Sequence, residues 1–442
     1  MSFNPFKILE DFGIPTIGLV IASFFVLLGI VYYWTPAEMT FTPAARLLLL
    51  SAPIWVPIIL SVTFWKIWLE YIRAKFISSQ KHVLLEIKLP REVVRSPQAM
   101  ETLLTNLHIG MGEGTFINRY IEGRVRPWYS LEIASLGGRI HFFIWTRAFL
   151  RDVVEAQIYG QYPMVEVHEV EDYAQKLGYH PDRYGLWGCD FKLTGKDAYP
   201  IKTYIDYGLD KDPKEEYKID PMAGFFEFLS HIGPDEQIWF QLMIRMNKDK
   251  LREDRKYKKG VFFVETTSWK DEAKEEIEKI REESRPETSG DFPGFPNPTP
   301  GQTDKIKALE RSVSKLGFDA GMRGIYIAKK DAFNPSNIAA LTSSLKQLNA
   351  SDRNGIAPTR WFTEFGYPWQ DIFGKKQENY RKWIIDAYRR RSWFHEPYKT
   401  PWFVFNTEEI ATIFHFPGSV VQAPTLERIS STKGEAPPNL PG

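Results

Sequence analysis

The sequence predicts an α+β protein: an N-terminal two-helix transmembrane hairpin, then a ferredoxin-like domain and further α+β domains on the cytoplasmic side. Three observations carry this expectation. Two long uncharged runs, residues 14–34 and 47–65, open the chain. The hydrophobic period then changes from helical to alternating near His82. The elements that follow read strand, helix, hairpin, helix, strand, which is the βαββαβ order of a ferredoxin-like sandwich.

The first run, Ile14 to Trp34, holds 21 residues without a charge. At ~1.5 Å per residue it matches a ~30 Å hydrocarbon core. The second, Leu47 to Trp65, holds 19, with Pro53 and Pro57 inside it. Prolines are tolerated in membrane helices, where neighbours satisfy the freed carbonyls. A cleaved signal peptide is a poor match, because its apolar core is shorter and a small-x-small site follows it. The loop between the runs offers only Arg46, whereas Lys66, Arg73, Lys75 and Lys81 follow the second. That bias predicts a multi-pass inner-membrane protein with both termini cytoplasmic and the membrane as a partner. Residues 1–81 therefore read as anchor plus helical stem.

A domain over residues 82–180 comes next. Val83–Leu89 alternates as a strand closed by Pro90, and Glu92–His108 carries a helical apolar stripe. Trp128–Ser135 and Arg139–Trp145 flank Gly137-Gly138, a strong hairpin signal. Arg147–Tyr159 is helical, with Phe149, Leu150, Val153, Val154 and Ile158 assigned to one face, and Val165–Val170 alternates again. A second α+β domain spans 181–350, with strands at Trp187–Leu193, Ile201–Ile205, Gln237–Met246 and Arg323–Ala328. Helices are expected at Met222–His231, Asp271–Glu283, Thr303–Leu316 and Pro335–Leu348. The Pro- and Gly-rich stretch 285–302 is a linker or loop. This domain repeats the alternation of the first without residue-level self-similarity.

Residues 351–442 form a helical and extended C-terminal region. In Gln377–Phe394, Tyr380, Trp383, Ile384, Ala387 and Tyr388 make an apolar stripe closed by Arg389-Arg390-Arg391. Basic residues at a helix C-terminus complement its macrodipole. Interleaved aromatics and cations also suit anionic headgroups or nucleic-acid phosphates, so Arg389, Arg390, Arg391, Trp383 and Lys382 are the candidate contacts.

Composition narrows the function. The chain has 56 basic and 55 acidic residues, so overall charge supplies no pull on nucleic acid. The single Cys189 excludes an intramolecular disulfide and reads as a small buried hydrophobe. No Walker sequence, His-Glu-x-x-His or Gly-x-Ser-x-Gly occurs, and the eight histidines are scattered. No cofactor, metal or catalytic residue is expected, and the chain reads as non-enzymatic.

Near the C-terminus stands Phe403-Val-Phe-Asn-Thr-Glu-Glu-Ile-Ala-Thr-Ile-Phe-His-Phe-Pro417. Locally it is a strand ending at Asn406, which caps a helix with Glu408 and Glu409 in its first turn. The same string resembles the stretch before the nucleotide-binding core of type IV coupling-protein and related conjugative traffic ATPases. Ala423-Pro-Thr-Leu-Glu-Arg428 and Lys433-Gly-Glu-Ala-Pro-Pro-Asn-Leu-Pro441 resemble the lead-in to that core. Leu85–Pro90 and Ser130–Phe143 are similar to the preceding domain in relatives from candidate-phylum bacteria. The sequence ends at Gly442, before such a core. The resemblance thus implies a membrane-anchored adaptor of a type IV secretion-like or conjugation-like machine without its motor. It would dock a separate ATPase or self-assemble; the rivals are another envelope scaffold or a membrane-bound enzyme.

Overall fold

The computed structural model describes residues 41–90, 95–210, 220–248, 257–258, 264–265, 268–285, 295–359, 369, 371, 373–418 and 428–429. Two compact units divide the chain, residues 1–71 and 72–442. A 39-residue helix, α1 (Phe41–Ser79), runs across that division and contains Pro53 and Pro57.

Among the described residues, no helix is long and apolar enough to cross a membrane. This corrects the transmembrane hairpin, and with it the membrane as a partner and the multi-pass inner-membrane placement with cytoplasmic termini. The first expected span, 14–34, lies outside the described residues. The second, 47–65, falls in α1, which does not stop at Trp65. Past Trp65 the same helix carries Lys66, Glu70, Arg73 and Lys75.

The second unit is organised by one sheet. Its first half contains β1 (His82–Pro90), α2 (Pro97–Asn106), the short α3 (Phe116–Tyr120), β2 (Tyr129–Leu136), β3 (Arg139–Arg147), α4 (Arg151–Gln161), β4 (Glu166–Val170) and the one-turn α5 (Tyr173–Lys176). β4 pairs with β1, β1 with β3, and β3 with β2, all antiparallel. Leu136 faces Arg139 across Gly137 and Gly138, both at positive φ, which a two-residue turn between right-twisted strands demands. α2 starts at Pro97, since the ring's fixed φ and missing N–H suit a first turn.

The second half contains β5 (Tyr184–Leu193), α6 (Ala223–Ser230), β6 (Glu236–Met246), the two-residue strands β7 (Tyr257–Lys258) and β8 (Val264–Glu265), α7 (Trp269–Glu283), α8 (Pro300–Val313), β9 (Gly317–Lys329), α9 (Pro335–Ser343) and β10 (Ile356–Pro358). Its strands lie β10-β5-β9-β6, again antiparallel. Numbered within each half, this is the same 4-1-3-2 order as β4-β1-β3-β2. β2 and β6 pair antiparallel from Tyr129–Ile244 to Leu136–Gln237, so the two second strands fuse both halves into one sheet. Residues 201–205 are turn and irregular backbone where a strand is expected. The segment between β6 and β9 carries α7 and α8, which close a small separate core of Ala273, Ile277, Ile280, Ile306, Leu309 and Ala198.

The C-terminal region returns to this sheet. α10 (Lys375–Arg389) is followed by β11 (Phe403–Asn406), which pairs with β9; α11 (Thr407–Ile413) packs by α2, and β12 (Arg428–Ile429) joins β1 in parallel. The fold-class expectation of an anchor followed by separate α+β domains gives way to one ten-stranded sheet. Nine of its strands are wholly antiparallel, and β12 is the parallel addition.

The two faces of the sheet differ in chemistry because successive side chains alternate. One presents Leu131, Ile133, Phe142, Ile144, Phe240 and Leu242, all buried, against Phe226, Phe414 and Phe416. The other presents Ser130, Glu132, Gln241, Arg245, Asp319 and Arg323, also buried, under α10 and the chain that follows it. Gly188 and Gly321 let this cover lie close: a Cβ at 188 would press on Ile384, and one at 321 would overlap the Trp393 indole. Gly321→Val should therefore displace Trp393 and cost about 1–3 kcal/mol of stability, read from urea midpoints.

Candidate functional site

The candidate basic surface at the end of α10 has a different arrangement from the one its sequence suggests. Arg391 is fully buried and sits at φ 47°, a left-handed conformation that costs a side-chain-bearing residue about 1–2 kcal/mol. Its guanidinium donates from Nε to Glu132 Oε1 at 3.0 Å and from Nη2 to Glu132 Oε2 at 3.1 Å. Nη2 also reaches Asp172 Oδ1 at 2.9 Å, and Nη1 pairs with the same carboxylate. Glu132 is fully buried in the middle of β2 and accepts further bonds from Ser130 Oγ (2.6 Å), Tyr173 Oη (2.9 Å) and Gln241 Nε2 (3.1 Å). Tyr173 and Tyr388 share a hydroxyl–hydroxyl bond of 2.6 Å above it. Burial works against the Arg391 charge, but Glu132 and Asp172 outweigh it and hold its pKa well above the ordinary value.

The other candidates diverge. Arg389 donates to the carbonyls of Ala174 and Leu177, tying α10 to α5. Arg390 is exposed and pairs with Asp386 at 2.8 Å, one turn back. Lys382 is exposed, 3.9 Å from Glu378, and Trp383 lies half-buried under the Arg323 guanidinium, 5.7 Å from its ring centre. The five residues thus form no shared surface: two are exposed, and Arg391 points inward. Sequence reading missed Glu132 and Asp172 as its partners and Tyr173 as a donor to Glu132. The only sign available was Glu132 itself, a charge at a position flanked by apolar strand residues.

The Asn406–Pro417 string is likewise interior. Asn406 caps α11 in a reciprocal box with Glu409. Glu409 also accepts the Ile201 N–H at 3.0 Å, and burial pushes its pKa up to about 8. Glu408 receives Arg311 Nε at 3.2 Å, Lys315 Nζ at 2.9 Å and the Thr203 hydroxyl. His415 contacts Asp220 at 3.2 Å, and that carboxylate outweighs burial to raise the imidazole pKa. Beside the string lies a shallow cleft lined by Glu101, Thr105, Tyr204 and Lys315, whose polar groups are paired with one another: Tyr204 Oη donates to Glu101 at 2.7 Å and Lys315 Nζ at 2.6 Å. Among the described residues, no group of three or more His, Cys, Asp or Glu is placed to hold a metal. Cys189 is buried in β5, which pushes its thiol pKa well up.

One segment does face outward. Met111, Phe116, Ile117 and Ile121 are 51, 64, 56 and 55% exposed, and α3 buries none of its five residues. Thr115 caps α3 through the Asn118 N–H at 3.2 Å, and the Phe116 and Tyr120 rings lie 4.8 Å apart. The backbone is pinned where it returns: Gly123, at φ +66°, sits against the Ile72 carbonyl, where a Cβ would come within 2.5 Å. An apolar segment is held in place with its side chains in water.

Two expectations follow from the buried charges. Glu132→Ala strands Arg391 without its main partner and should cost about 3–5 kcal/mol in denaturant unfolding. His82 stacks on Trp145 at 4.2 Å, and burial together with Arg147 and Arg391 lowers its pKa to about 4. His395 is lowered as well, by burial and then by Arg245 and Arg73. A depressed histidine leaves the unfolded chain binding more protons, so stability falls as pH drops from ~6.5 toward ~4. His415, being raised, acts in the opposite sense: its contribution is complete below pH 6.5 and lost as pH climbs past its folded value. His82→Phe should therefore recover about 1 kcal/mol of the stability lost between pH 7 and 5, as followed by urea titrations at both pH values.

Comparison with known proteins gives a family and no activity. No curated protein matches the chain. Residues 74–428 match a family described as a domain of unknown function, DUF8128. That match covers both halves of the sheet, α10 with Arg391, and the buried Asn406–Pro417 string, and the chain belongs to this family.

Proposed function

We propose that the chain is a non-catalytic adaptor that docks a separate traffic ATPase through the apolar segment around α3. The observation that carries this reading is the set Met111, Phe116, Ile117 and Ile121, each more than half exposed on a capped, pinned segment. Exposed apolar clusters of this kind mark protein–protein contact sites, because covering them releases ordered water at little further ordering cost. The choice of partner rests on the resemblance of Phe403–Pro417 to the region just before the core of type IV coupling-protein-like ATPases. The internal pairing of Arg391, Glu408 and Glu409 supports a scaffolding role for those charges, since each is consumed within the fold.

The test is co-purification of the tagged chain from its native host, with any retained ATPase identified by mass spectrometry. Wild type should retain it, and Phe116→Asp with Ile117→Asp should weaken capture at least tenfold while the unfolding midpoint stays within about 0.5 kcal/mol, as for exposed positions. Equal capture by the variant removes the segment from the interface. A wild-type chain that runs as a monomer and retains no ATPase overturns the adaptor reading, and a variant-sensitive homodimer would assign the segment to self-assembly.

A further inference from the structure

The sheet's charged face is covered by residues 375–402, tethered at both ends. Its chain arrives at α10 and leaves into β11, which is locked beside β9. The contact between this cover and the sheet is mixed in quality. Trp393 and Ile384 fit over Gly321 and Gly188, and Arg391 is fully paired. Beside them, buried polar atoms on both sides of the contact have no hydrogen-bond partner within the protein: Arg323 Nη1 and Nη2, Asp190 Oδ2 and Gln241 Oε1 on the sheet, Trp393 Nε1 and His395 Nε2 on the cover. Arg323 touches Asp190 through Nε alone, at 2.8 Å, and its remaining donors face the indoles of Trp383 and Trp393. The opposite face of the sheet is lined by Leu131, Ile133, Phe142 and Phe240, with two small orphaned groups, the Tyr129 and Thr146 hydroxyls, and no orphaned charge.

We infer that residues 375–402 form a detachable cover that opens as a unit over the charged face while the sheet and its apolar side stay folded. The physical ground is an asymmetry between the two faces. Separating the apolar face exposes mainly hydrocarbon, so it costs nearly the full hydrophobic term. Separating the charged face returns Glu132, Asp190, Arg323 and Arg391 to water, and their hydration offsets much of the lost pairing. It also gives the six orphaned atoms the partners they lack. Ordered opening below the global unfolding limit is the expected behaviour of such an element. The opened face would present Glu132 and Asp172 as a vacated guanidinium cradle, so the cover acts as an intramolecular blocker of that site.

Native-state hydrogen exchange of the full chain, resolved by mass spectrometry across a low-denaturant series, tests this directly. Peptides from 375–402 should exchange as one group, roughly tenfold or more faster than those of β6 and β9, with a common denaturant slope between zero and the global value. Arg391→Ala should speed the cover a further tenfold or so and speed β9 peptides by the same factor, because its pairing is already lost in the opened state. Exchange of the cover at the global rate and slope, or amide by amide with zero slope, would overturn the inference. The wild-type slopes decide the matter if the variant fails to fold.

Discussion

The bidentate pair between Arg391 and Glu132 is the constraint on which the rest of this structure depends. Glu132 lies in the middle strand of a ten-stranded sheet, out of water, and a lone carboxylate there would not remain charged without a partner. The partner comes from a residue 259 positions later, held at positive φ to reach it. For that to happen, α10 must lie across the sheet and α5 must bring Asp172 alongside. Tyr173, Tyr388 and Gln241 then fall into place around the carboxylate. A pair of this kind adds little net stability over an apolar replacement. What it supplies is a single solution for where the C-terminal third packs.

Around that pair, two halves of identical strand order share one sheet. The joint is the antiparallel pairing of β2 with β6, so Glu132 and Gln241 meet at the seam. This places the charged row Asp190, Arg323, Gln241, Glu132 across four adjacent strands, each aligned with the next by register. The apolar row one residue away is covered by the helices of both halves. Antiparallel sheets commonly leave one face to solvent, and here the same alternation is retained while the chain supplies its own cover.

The proposed adaptor role and the proposed cover use different parts of this frame. The docking segment lies on the loop between α2 and β2, where Glu113 pairs with Arg126 and Lys248. The cover lies over the seam and carries Arg391. The Asn406–Pro417 string is neither: it is core, with Glu408, Glu409 and His415 consumed by Arg311, Lys315, Asn406 and Asp220. These residues have a structural task that accounts for each of them.

Local signals in the sequence carried a good deal. The Gly137-Gly138 turn, the Asn406 cap with its acidic first turn, the Asp271–Glu283 charged helix and the buried character of Cys189 all follow from rules that act within a few residues. The strand periods of β1 to β3 were legible for the same reason. What failed depended on context. The uncharged run 47–65 has the composition of a membrane span, yet the helix around it runs on into charges. Arg389-Arg390-Arg391 read as a helix end complementing the macrodipole or as a contact patch, but the left-handed Arg391 turns the third into the interior. Glu132 lies unmarked within the expected strand Trp128–Ser135. Its burial, its partner 259 residues away and the fusion of two halves at β2 and β6 are long-range pairings, and only the tertiary structure decides those, because charge and alternation say which residues want a partner and never which one they will meet.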